Sequence, residues 1–107
     1  RSGYVLHLGS TNCETDPSGK TTCKFSNRPE FSFAKFDLMK DVIKVDLKAL
    51  FADSNVDVNQ EKTSAGCMSF PGDGDCTGIF KSLGLNFEAE GNQLSGKQTF
   101  MRAEKDK

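Results

Sequence analysis

Tryptophan is absent from this 107-residue chain, histidine occurs once, and neither sign of charge dominates. The single histidine, His7, excludes a zinc site rich in histidine and a two-histidine copper site within this chain alone. A net charge of −1, with acids and bases interspersed, advertises no basic face for nucleic acid or anionic lipid. No apolar run approaches the roughly 18 residues that a membrane-spanning helix needs. There is no Gly-x-Ser-x-Gly elbow and no Walker loop, so an enzyme acting by itself is not expected.

What the chain does have is nine phenylalanines and four cysteines. Without tryptophan the core falls to the phenylalanines, grouped as Phe25, Phe31, Phe33, Phe36 and Phe51 and again as Phe70, Phe80, Phe87 and Phe100. The cysteines form two local pairs: Cys13 and Cys23 enclose nine residues, Cys67 and Cys76 enclose eight. Neither gap is that of a zinc knuckle or a thioredoxin-type redox site, so the simplest reading is two structural disulfides in an oxidising compartment outside the cytosol. Four cysteines permit three pairings, and spacing alone does not choose among them. Loop-closure entropy favours 13–23 with 67–76, each contributing about 2–3 kcal/mol on the chain-entropy argument.

Along the chain, Tyr4 to Leu8 reads as a strand with Tyr4, Leu6 and Leu8 on one face. Ser10 to Lys20 is a polar loop, and Thr21 to Phe25 a second short strand. Glu30 to Phe36 and Asp41 to Leu47 carry period-2 apolar residues, Phe31 and Phe33 in one and Ile43, Val45 and Leu47 in the other, and suit half-buried strands joined by a turn over Asp37 to Lys40. A short helix is expected near Asp46 to Ala52, then a long surface connection from Asp53 to Gly66. A second short helix capped by Asp75 places Cys76, Ile79, Phe80 and Leu83 on one face and stops at Gly84. Asn86 to Glu90 and Lys97 to Met101 read as closing strands around Gly91 to Gly96, with a frayed charged tail. The expectation is a mostly β, disulfide-stapled, β-sandwich-like single domain of about six short strands with two small helices on connections.

Few side chains suggest chemistry. His7 on a strand is a candidate ligand, although a lone strand histidine is more often structural. Met68, directly after Cys67, offers a soft thioether suited to Cu(I), against the plainer role of filling a gap beside the disulfide. Pro71-Gly72-Asp73-Gly74-Asp75 lacks the remaining acids of a calcium loop and reads as a turn into a helix cap. Asp37, Asp41 and Asp46 read as turn residues rather than a general acid/base pair.

Read in order, His7-Leu8-Gly9-Ser10-Thr11-x-Cys13, Cys23 with Asn27-Arg28-Pro29, Phe36-Asp37, Val45-Asp46-Leu47-x-x-Leu50, Gly66-Cys67-Met68-Ser69 and Cys76-x-x-Ile79-Phe80-x-x-Leu83-Gly84-Leu85 cover nearly the whole chain. In that order they resemble the MbnP-like family, the four-Cys half of the metallo-mystery pair, which includes copper-repressible surface proteins. The resemblance implies an exported protein, periplasmic or secreted to the cell surface, that binds copper and has a dihaem peroxidase-like partner of the MbnH type. That partner oxidises a tryptophan to kynurenine, and the product joins histidines around the metal. His7 carries over as the candidate copper ligand, and the four cysteines carry over as disulfides.

The chain departs from the family where it matters most. The family's tryptophan-containing segment precedes the His-Leu-Gly-Ser-Thr motif, whereas this chain has no tryptophan and begins six residues before His7. It opens on Arg1 without a leader, and the expectation is the C-terminal portion of a longer exported protein, or else a shortened relative. A complete copper site is not expected within these residues. The expected function is a copper-binding domain that carries metal or serves as substrate for the haem partner; the alternative is a metal-free extracellular binding or structural module. A thiol oxidoreductase would require a reducible, low-pKa cysteine.

Overall fold

A computed structural model of the chain describes residues 3–91 and 93–106. Two antiparallel two-stranded sheets, two short helices and two disulfides make up the fold. The first sheet pairs β1 (Thr11–Thr15) with β2 (Thr21–Phe25). The first half of the expected Ser10–Lys20 loop is thus a strand, because its threonines and cysteine have a complementary partner in β2. Cys13 lies directly opposite Cys23 and bonds to it, and Thr15 Oγ1 meets Thr21 Oγ1 at 2.8 Å. Asp16 closes the turn: its carboxylate accepts from the Ser18 and Lys20 amides and the Ser18 hydroxyl.

The second sheet pairs β3 (Asp41–Val45) with β4 (Met101–Lys105), the charged tail that reads as frayed in the sequence. One face of β4 is polar because Arg102 and Glu104 lie beside Lys44, with Lys44 Nζ 2.8 Å from Glu104 and Arg102 also ion-paired to Glu104. The expected strands at Glu30–Phe36, Asn86–Glu90 and Lys97–Met101 do not form. Lys35 and Glu88 adopt positive φ (56° and 63°), which breaks an extended run. Among the described residues an isolated Leu85–Leu94 bridge ties the Gly91–Gly96 region to the segment after Gly84; Asn92 lies outside the described residues. Tyr4–Leu8 shrinks to one parallel bridge, Leu6 with Cys67. Ile43, Val45 and Leu47, expected to be half-buried, are 48–62 % exposed, since no second layer covers them. Among the described residues the two sheets make no direct contact with each other.

Helix α1 (Leu47–Leu50) starts at Asp46, whose carboxylate accepts from the Ala49 amide. Helix α2 (Thr77–Leu83) follows a 3-10 turn over Gly74–Cys76, and the cap is Asp73 rather than Asp75: Asp73 accepts from the Asp75 amide. Gly84 ends α2 in the left-handed region at φ 80°, which costs a residue without Cβ nothing. The inward face of α2 behaves as its spacing predicts, with Ile79 and Phe80 fully buried and Leu83 nearly so. Leu50, Leu85, Phe100 and the Cys67–Cys76 bridge complete this core, with Tyr4, Leu6, Phe51 and Phe87 against its edge.

The phenylalanine core is narrower than composition suggests. Phe25, Phe80 and Phe100 are buried, but Phe31 and Phe70 stay exposed. Phe31 instead packs edge-on against Phe100 at 5.6 Å. The molecule is a slab of 50 × 42 × 20 Å with a radius of gyration of 16.2 Å, larger than the roughly 13 Å of a compact domain of this length.

Candidate functional site

The chain around His7 is fastened on three sides. The His7 amide donates to the Cys67 carbonyl at 2.8 Å, and the Cys67 amide to the Val5 carbonyl at 2.8 Å. That approach requires Gly66, at φ 78°, where any Cβ would overlap the Val5 carbonyl. Beyond the bridge, the Ser69 hydroxyl donates to the His7 carbonyl at 2.6 Å and accepts from the Gly9 amide at 3.4 Å. The His7 imidazole lies across Gly9, its Nε2 3.2 Å from where a Cβ would stand.

A buried amide pair supports this loop from below. Asn27 Nδ2 donates to the Gly9 carbonyl at 2.8 Å and the Ser69 carbonyl at 3.3 Å. Gln93 Nε2 donates to Asn27 Oδ1 at 3.0 Å, while Gln93 Oε1 accepts from the Asn27 amide at 2.8 Å and from the Ser26 hydroxyl. Asn27, Ser69 and Gln93 are each at most 2 % exposed, so every polar group here depends on its partner. Asn27 holds a positive φ of 50°, which asparagine tolerates.

Met68 enters from the opposite segment. Its amide donates to Asp73 Oδ2 at 3.1 Å, so the carboxylate that caps the 3-10 turn also fixes the Met68 backbone. His7 and Met68 line the same cleft of about 420 Å³, with Gly9, Thr11, Cys13 and Phe70 among the other walls. Thr11 is 7 % exposed and its Oγ1 has no hydrogen-bond partner.

The structure therefore brings His7 and Met68 together and binds Cys13 to Cys23 and Cys67 to Cys76, the pairing favoured by loop length. Among the described residues no group of three or more His, Cys, Asp or Glu side chains could hold a metal. An imidazole and a thioether suit Cu(I), which accepts low coordination and soft donors, and fall short of the nitrogen and oxygen set of Cu(II). Asp73 and Asp75 are occupied by backbone amides, and Asp37, Asp41 and Asp46 hold turns and a cap, as the sequence suggests.

Sequence reasoning missed the roles of Ser69, Asn27 and Gln93. The first two stand within the ordered fragments, and their polarity in otherwise structural motifs was the available signal. Gln93 carried none, because its partners lie 66 and 67 residues away. Compared with protein families, curated proteins and solved structures, the chain matches none.

Proposed function

We propose that the chain is an exported copper-binding domain that carries metal or serves as substrate of a dihaem peroxidase-like protein of the MbnH type, in the periplasm or at the cell surface. The reading combines the resemblance to the MbnP-like family with one geometric observation. His7 and Met68, from segments some sixty residues apart, face one cleft on backbones held by Ser69 and Asp73. His7 is the lead ligand and Met68 the second; bound copper would supply one-electron chemistry, and the chain's own part is to hold an imidazole and a thioether in place. The mostly β, disulfide-stapled build suits this reading, whereas a β-sandwich would need an apolar layer between the two sheets, which make no direct contact among the described residues.

Competition titration of Cu(I) against a chromophoric chelator tests it. His7→Ala should weaken binding by at least about tenfold, about 1.4 kcal/mol, and Met68→Ala by less. Unchanged affinity in His7→Ala rejects the site. The second reading, a metal-free extracellular binding module, draws on Leu38 and Met39, 88 % and 89 % exposed. Elemental analysis of protein purified without added metal separates the two.

A further inference from the structure

The β3–β4 sheet has two open edges, and the phase of its ladder shows which groups face out. Asp46 N donates to Phe100 O and Asp106 N to Lys40 O, both at 2.7 Å. Even-numbered residues of β4 therefore bond to β3, and the backbone groups of Met101, Ala103 and Lys105 point away from it. Gln98 confirms the phase by clasping Met101 from outside: its Oε1 accepts from the Met101 amide and its Nε2 donates to the Met101 carbonyl, at 2.9 and 2.8 Å. Ala103 and Lys105 are left without outward partners among the described residues.

From this edge we infer that a second copy of the chain adds to β4, antiparallel and centred on Ala103, as a weak reversible dimer. The sequence of β4, Met-Arg-Ala-Glu-Lys, is self-complementary about that point. Ala103 exchanges two backbone bonds with its counterpart, and each Arg102 stands directly opposite the other copy's Glu104. Centring instead on Arg102 or Glu104 would set like charges face to face. On β3, centring on Val45 sets Lys44 opposite Asp46 and centring on Ile43 sets Lys40 opposite Asp46; both matches need Asp46, which caps α1 where the chain turns into the helix.

Pairing also addresses a deficit of the monomer. A two-stranded sheet is marginal alone, whereas four strands with one apolar face are not. In the order β3-β4-β4-β3 the exposed face of Ile43, Val45 and Ala103 becomes continuous across both copies, with Arg102, Glu104 and Lys44 on the other face. Two-fold symmetry sets each Lys105 against the other copy's Met101, whose outward groups Gln98 already holds, so the ladder is limited to the two Ala103 bonds, which places the contact among small, transient interfaces.

Sedimentation velocity over a concentration series tests the inference, with circular dichroism and thermal unfolding as checks on folding. Wild type should show a monomer–dimer equilibrium that weakens with salt. Arg102→Glu and Glu104→Arg should each associate at least about tenfold more weakly alone. Their equimolar mixture should recover association, because each reversed charge then meets its opposite. Ala103→Pro removes only an outward amide and should weaken association without altering the fold. A wild type that stays monomeric at millimolar concentration, or folded charge variants whose mixture does not associate, overturns the proposal.

Discussion

Gly66 shows how much one residue can decide. Its positive φ and its contact with the Val5 carbonyl permit the Leu6–Cys67 bridge, which in turn places His7. Gly66→Ala should cost about 2–4 kcal/mol, the sum of a left-handed penalty and a backbone clash, measured by urea denaturation. Asp16 supplies a pH-dependent counterpart. The Ser18 hydroxyl, then the Lys20 amide, hold its carboxyl below the ordinary value of 3.8. The ionised form therefore stabilises the hairpin turn above that value, and the contribution fades as pH falls through the lower, folded-state value. A carboxyl-carbon NMR titration should find Asp16 titrating below a model aspartate. Gly66 stood in the sequence inside a recognisable fragment, but its left-handed backbone did not, since φ follows from a contact with a segment sixty residues earlier.

Elements differ in how far the chain announced them. Helix α2 was legible because Cys76, Ile79, Phe80 and Leu83 repeat at helical spacing and Gly84 can adopt the stop conformation, so its pattern and its burial agree. Phe80→Ala should cost about 3–5 kcal/mol, read from thermal or urea unfolding. The sheets were less legible, because a strand exists only with a partner: β1 was hidden in a polar stretch, β4 in a charged tail, and Phe31 and Phe33 had the period without a neighbour. The two disulfides should part company on this scale. Replacing Cys67 and Cys76 by Ser removes a bridge that is itself core, and should cost about 3–5 kcal/mol with a large fall in melting temperature. Replacing Cys13 and Cys23 should mainly speed amide exchange in the exposed β1–β2 ladder, with a smaller global effect.

At the scale of the whole molecule, a slab only 20 Å thick has little interior, and one buried network links distant parts of it. Gln93 joins Asn27, which joins Gly9 and Ser69, so four well-separated stretches meet in one set of hydrogen bonds. Gln93→Ala should strand the Asn27 amide and its Oδ1 and cost about 2–4 kcal/mol, with the largest chemical-shift changes at His7–Thr11 rather than near residue 93. Composition and cysteine spacing conveyed the stapled, β-rich character and the small core. They could not convey this convergence, which depends on pairing across most of the chain. Because both partners of the clasp are neutral amides, neither acidification nor a reductant has a handle on it directly. The loop bearing the lone imidazole is thus fastened by the part of the protein least sensitive to its surroundings, while the Cys13–Cys23 link beside it, exposed at Cys13, remains open to chemical challenge.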